Sequence, residues 1–400
     1  MMSIIKINPR EIRLKKSIRA HLQAIGFSRA NDGTLIPPSL DKESYRKIHS
    51  CQRMEKINEH RTWIADHWPK LSQYFASGGD IEVKSITPRL EVIQGGTWQS
   101  DLFRLASLYW QIPVSVGFGR RIRFLVWDDY NEKLIGIFAL GDAVFNLKVR
   151  DELIGWDHYR RADFLVNMMD AYVLGALPPY NMIMCGKLVA CLIPTKEVVT
   201  IFKTKYSDSI GIISKKKKNP QLVAVSTSSA FGRSSLYNRL KLDDRWIFKP
   251  IGYTAGCGHF HISDSLFDSM RDYLKYMQDD YADSHQFGSG PNWRFRVIRK
   301  TLTLLGMNPD IIRHGFTREV FFCPIANNAI NFLNGNVKKP SYKNLMDVKR
   351  MTQLAIERWV YPRSVRQPFF RQWDANDLLN SIVTDTEQLP FMESKIGLGK

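Results

Sequence analysis

Arg121-Ile122-Arg123-Phe124-Leu125-Val126-Trp127-Asp128 is the stretch from which the fold is read. Ile122, Phe124 and Val126 alternate with other residues, the period of a strand that turns one face to a core. Asp128–Lys133 is a polar turn and Leu134–Leu140 a second apolar run, so the two stretches form a hairpin. Downstream, Ala171–Ala176 is a short apolar run stopped by Pro178-Pro179. Gln221–Ser226, Ile247–Tyr253 and His259–Ile262 read as further strands. Lys187–Tyr206 is a helix around Pro194, a residue that can interrupt it, and Ser234–Leu240 is a short helix.

Helical sequence flanks this core. Asn8-Pro9-Arg10-Glu11 has a capping residue, Pro at the first helical position and Glu at the third. Behind it Ile12, Ile18, Leu22 and Ile25 stand among Arg13, Lys15, Lys16 and Arg19, and Gly26 can end the helix. A second helical stretch runs from Lys42 to Ala76, broken by Gly78-Gly79. On the C-terminal side Leu266–Asp283, Asn292–Leu305 and Lys343–Trp359 are helical, and the tail from Tyr361 is expected as an extended arm. The fold class is therefore α+β. The expected segments are an N-terminal helical region (1–85), an α/β core (86–264) and a C-terminal helical region with an extended tail (265–400).

Among the 400 residues, 57 Lys and Arg face 39 Asp and Glu, a formal charge of +18. The commonest polyanion that such a field meets inside a cell is nucleic acid. Hydrophobic residues make up 44%, which excludes a disordered chain. Cys51, Cys185, Cys191, Cys257 and Cys323 are odd in number and have neither zinc-ligand nor CxxC spacing, as expected of reduced thiols in the cytoplasm. No apolar run approaches the roughly 18 residues of a membrane span. A soluble, cytoplasmic protein is expected.

Four constellations can carry chemistry. In Ser228–Leu242 a hydroxyl-rich turn leads into the stretch bearing Tyr237, with Arg233 and Arg239 as cations. The plain reading of Tyr237 is an aromatic packing residue. Gly252–Ile262 holds His259 and His261, which share one face if the segment is a strand. They can bind a divalent metal, Mg or Mn, and Tyr273 and Tyr276 follow on a helix. The two histidines can equally be hydrogen-bonded structural side chains. His285–Lys300 is a Gly-rich turn opening a helix with Trp293, Arg294, Phe295, Arg296, Arg299 and Lys300. Its amides and cations can grip phosphate, and its aromatics can stack on bases. Lys215, Lys216, Lys217 and Lys218 form a further basic run. Finally, Asp142, Asp151, Asp157, Asp163 and Asp170 are either metal ligands or partners of Arg150, Arg160 and Arg161.

The strand–tyrosine–strand order around Tyr237 resembles the GNAT N-acyltransferase fold, and that resemblance implies Tyr237 as a general acid. The hairpin at 121–140 would be that fold's central strands and 171–179 its splayed strand. Pro178–Lys187 departs from that fold's Gly-rich acyl-CoA loop, since it contains one glycine. The His-hydrophobe-His segment resembles the HUH nickases, which cut single-stranded DNA through a tyrosyl intermediate; that resemblance implies Tyr273 or Tyr276 as the nucleophile.

Gly119–Asp128, Arg150–Asp157, Leu174–Asn181, Ser234–Leu240 and His285–Arg296 together resemble the DruA family of the Druantia anti-phage defence system, with relatives beside bacterial transposons. That resemblance implies an anti-phage protein with phage DNA and other Druantia proteins, including a helicase-like ATPase, as partners. Three activities are carried forward: DNA binding, metal-dependent nicking of single strands, and a GNAT-like transfer to a base or protein.

Overall fold

The computed structural model describes residues 8–29, 35–36, 38–39, 41–114, 119–208, 210, 217, 219–232, 234–283 and 291–383. The chain forms two compact units that interleave along the sequence. The first comprises residues 1–52, 230–232 and 253–319; the second comprises 53–229, 233–252 and 320–400. The boundaries expected at 85/86 and 264/265 fall inside these units.

In the first unit, α1 (Pro9–Ala24) begins where its capping signal stands. Asn8 Oδ1 accepts from the Arg10 amide at 3.0 Å, and Pro9 has no amide to satisfy. Leu14, Ile18 and Leu22 are its buried face. They share a core with Leu266, Phe267, Met270 and Leu274 of α9 (Asp264–Tyr276) and with Val297, Ile298 and Leu302 of α10 (Pro291–Leu304). Tyr45 and Ile48, from the start of α2 (Lys42–Glu59), join them. β1 (Ser28–Arg29) and β2 (Leu35–Ile36) form a small antiparallel pair. The strand expected over His259–Ile262 is instead a turn, in which the Ile262 amide returns to the His259 carbonyl at 3.0 Å. Ser263 caps α9 directly behind it, accepting from the Leu266 amide, so these residues must redirect the chain rather than extend it.

The second unit is built on a seven-stranded sheet. Its strands are β3 (Pro88–Val92), β4 (Arg121–Asp128), β5 (Lys133–Asp142), β6 (Met168–Ala176), β7 (Ala224–Ser228), β10 (Lys249–Tyr253) and β11 (Glu319–Pro324), in the order β10-β11-β7-β6-β5-β4-β3. The hairpin is present, with Arg121 opposite Gly141 and Asp128 opposite Lys133. β3 through β6 are antiparallel neighbours. β6 and β7 run parallel and pair only over Met168–Asp170 and Ala224–Ser226. Ile122, Phe124 and Val126 pack with α7 (Cys185–Cys191) and α8 (Lys196–Tyr206). Leu125, Trp127 and Ile137 pack with α3 (Arg61–Leu71), α4 (Trp98–Ser107) and α14 (Asp377–Val383). Both faces of the hairpin are therefore covered.

α5 (Lys148–Ile154), α6 (His158–Phe164) and α11 (Ala329–Leu333) cluster around Trp156 and Phe322. α12 (Val348–Ala355) continues through a π-helical turn into α13 (Tyr361–Arg366). β8 (Lys241–Leu242) and β9 (Arg245–Trp246) form a hairpin across Asp243 and Asp244, whose φ values are 46° and 58°. Such positive pairs match the twist of a two-residue hairpin.

The interruption expected at Pro194 divides Lys187–Tyr206 into two helices, since a proline lacks the amide to continue one. Two sequence expectations are corrected here. Ser234–Leu240 is a turn, ended by Arg239 at φ 53°. The described part of the tail, residues 361–383, is largely helical: Phe370, Leu378 and Ile382 are buried anchors, too widely spaced around Pro362 and Pro368 to show a period. No helix among the described residues is long and apolar enough to cross a membrane.

Candidate nucleic-acid interface

The exposed side of α1 is cationic. Arg10, Arg13, Lys16 and Arg19 recur at every third position and are all exposed, opposite the buried Leu14 and Ile18. Of the helix's lysines and arginines, Lys15 is the one paired with a described acid, Glu11, at 2.6 Å. The first 52 residues hold ten Lys and Arg against four Asp and Glu. A cavity of about 250 Å³ between α1 and α9 is lined by Arg10, Arg13, Ser17, Ser269, Asp272 and Tyr273. The Arg10 guanidinium lies 4.3 Å from the centre of the Tyr276 ring, which is half exposed. Exposed cations, hydroxyls and an accessible ring are what a nucleic-acid strand requires of a protein surface.

The residues expected to grip phosphate on α10 have other duties. Arg294 forks onto Asp264 at 2.7 Å and the Ile262 carbonyl at 2.9 Å, bracing the start of α9. Trp293 donates to the Tyr281 carbonyl and packs edge-on against Phe267. Arg296 donates to the Tyr281 hydroxyl, and Lys300 pairs with Asp279 at 2.7 Å. Arg299 is exposed and unpaired among the described residues. Residues 253–319 carry eight Lys and Arg against eight Asp and Glu, so this segment holds no cationic surplus. Lys217 pairs with Asp208 at 2.6 Å. Arg239 is exposed on its turn in the second unit. Lys215, Lys216, Lys218, Arg233 and His285 lie outside the described residues.

A nickase needs two imidazoles on one strand face, and the turn at 259–262 does not provide them. His261 points its Nε2 at the Ile311 carbonyl, 2.8 Å away, and is buried. His259 lies edge-on to Phe295. Burial lowers both pKa values to about 4, leaving neutral, enclosed rings. Among the described residues no group of three or more His, Cys, Asp or Glu could hold a metal ion. Tyr273 is buried, and burial raises its hydroxyl pKa rather than activating it. Tyr276 is exposed beneath Arg10. Tyr237 belongs to the core of the second unit, against Phe248 and Phe321. Burial pushes its hydroxyl up to about 12, with Thr227 as its partner.

The acidic set resolves into a pinned loop. Asp170 on β6 accepts from the Val144 amide at 2.8 Å and from the Ser226 hydroxyl on β7. Burial raises its pKa. Arg150, fully buried, donates to the Val144 carbonyl at 2.6 Å, the Phe145 carbonyl at 3.0 Å and Asp151 at 2.7 Å. Arg161 takes the other Asp151 oxygen at 2.8 Å, and Arg120 pairs with Asp142 at 2.7 Å. Asp157 caps α6 through the Arg160 amide, and Asp163 is exposed. This set is structural pairing, with one deep carboxyl at the β6–β7 junction.

The surface of α1 is the feature that sequence reasoning passed over. Its cations stood plainly between apolar positions, but which cations stay unpaired depends on acids that lie far away in sequence.

The family model described as "DruA: Druantia protein DruA" matches residues 39–335. The chain is similar to the Druantia protein DruA of Escherichia coli (strain UMEA 4076-1), at 50% identity over 387 residues, covering 97% of this chain and 96% of that relative. No solved structure matches it.

Proposed function

Because this chain belongs to the DruA family, we propose that it is an anti-phage defence component that engages DNA through the outer face of α1. The carrying observation is the row Arg10, Arg13, Lys16 and Arg19, exposed and without an acidic partner among the described residues. Unneutralised cations release counterions when they meet phosphates, which gives sequence-independent affinity. Phage DNA and other Druantia proteins, including a helicase-like ATPase, are the partners in this proposal.

The test is binding of labelled duplex and single-stranded DNA across a salt series. Replacing Arg10, Arg13 and Lys16 together by Gln should flatten the slope of log K against log salt by up to about 2.7 on duplex DNA, about 0.9 per phosphate contact. An Arg296→Gln, Arg299→Gln pair should change it less. An unchanged slope and affinity in the α1 triple variant would remove α1 from the interface.

A GNAT-like core is favoured by one observation. β6, the strand expected to splay, pairs with β7 over only Met168–Asp170 and then departs from it, while its other neighbour β5 pairs along most of its length. Nothing similar supports a transfer reaction, since Tyr237 is enclosed and the loop after β6 packs inward through Tyr180 and Ile183. The proposal is therefore a resemblance of fold, with DNA engagement as the activity.

A further inference from the structure

A separate cavity of about 660 Å³ lies in the second unit, beside the β8–β9 hairpin and β11. That volume is in the range of small-molecule sites. Leu242, Ile247, Phe322 and Met351 form a buried apolar floor. Arg245, Lys249, Trp246, Asn331 and Asn344 stand at the rim.

The rim charge is one-sided. No Asp or Glu lines the cavity, and neither Arg245 nor Lys249 forms an ion pair with a described residue. The hydrogen bond from the Arg245 guanidinium reaches the Asn344 carbonyl at 3.5 Å, a weak tether. Asp243 and Asp244 occupy the hairpin turn and do not line the cavity. Trp246 lines it while carrying the Lys241 ammonium 4.4 Å from its ring centre. The side-chain amides of Asn331 and Asn344 make no hydrogen bond with a described residue, leaving donors and acceptors at the mouth. Asn328, by contrast, is held at the Ser341 amide and the Lys339 carbonyl. An indole, free amides and two unopposed cations over an apolar floor match a ligand that is aromatic at one end, polar at its edges and anionic at the other.

We propose that this cavity is a nucleotide-binding site, with the base against Trp246 and the phosphate on Arg245 and Lys249. The nucleotide is either free or an unpaired residue of a strand; both present the same chemistry. The site shares no residue with α1 and does not rest on the α1 proposal.

The test is calorimetric titration of the full-length protein with AMP, GMP, CMP and UMP, and with a short mixed-sequence single strand. The strand is titrated in the α1 triple variant, so that α1 does not contribute. Trp246→Ala, and separately Arg245→Gln with Lys249→Gln, should weaken binding about tenfold or more, while Trp246→Phe keeps most of it. Mononucleotide binding that responds to these changes identifies a free-nucleotide site. A response seen with the strand alone identifies a pocket for an unpaired base. If no probe binds, or binding ignores both substitutions, the proposal is overturned. Thermal melting of each variant checks folding, and the exposed Arg245 and Lys249 pair keeps the test valid should Trp246→Ala unfold.

Discussion

His49, His261 and His314 surround Phe260 in the first unit, with His49 stacked on it at 4.6 Å and His314 edge-on at 4.5 Å. Burial is the main cause that lowers His49 and His314 to about 3 and His261 to about 4, and Arg318 adds to the effect on His49 and His314. His21 and His259 are lowered as well. A folded pKa below the unfolded value near 6.5 fixes the sign. Above pH 6.5 neither state takes the proton, and stability is complete. As pH falls from 6.5 toward 4, the unfolded chain binds protons that the folded rings refuse. Each such histidine then destabilises by about 1.4 kcal/mol per pH unit. Melting curves should show the first unit losing stability steeply between pH 6.5 and 4.5. His49→Gln should flatten that dependence by about one proton, and a pH-independent midpoint would contradict the burial of these rings.

The segment 143–147 shows how one side chain fixes an element. Val144 and Phe145 are exposed apolar residues, yet their carbonyls are held from beneath by Arg150. Arg150→Ala leaves Asp151 partly unpaired and two carbonyls without their donor. A loss of roughly 3–5 kcal/mol is expected in urea denaturation, and Arg150→Lys should restore little of it, because an ammonium lacks the guanidinium fork. This network also marks the limit of what could be read in advance. The α1 start and the 121–142 hairpin were legible because their signals are local: a cap, a proline, a polar turn between apolar runs. The His259–Ile262 turn mimicked a strand because four residues alternate equally well in either conformation. Arg150 and Asp151 stood adjacent in sequence, but the Val144 and Phe145 carbonyls, Arg161 and the deep Asp170 become neighbours only after folding. On α10 the sequence displayed cations and withheld their partners, Asp264 and Asp279. The nucleotide cavity was not legible, since its rim is assembled from residues near 245, 331 and 344.

At the scale of the molecule, charge and connectivity are unevenly divided. Within the first unit the cationic surplus belongs to the first 52 residues, not to 253–319. The second unit carries the rest of the +18. Residues 253–319 enter between β10 and β11, which are neighbours in the sheet. A chain trimmed to 53–383, with 254–318 replaced by a short turn, should therefore keep the sheet. Circular dichroism and a single cooperative melt would check this. The same chain should lose the salt-dependent DNA affinity assigned to α1.

The division of the first unit along the chain has a consequence for biosynthesis. The apolar face of α1 leaves the ribosome before the α9 residues that cover it, such as Phe267 and Met270, which are encoded about 250 residues later. At about 5–20 residues per second, Leu14, Ile18 and Leu22 wait roughly 12 to 50 seconds for their partners. Throughout that interval an apolar, positively charged segment hangs uncovered from the nascent chain. The protein's yield in a cell should thus depend on holdase chaperones acting during translation more than on the stability of the finished fold.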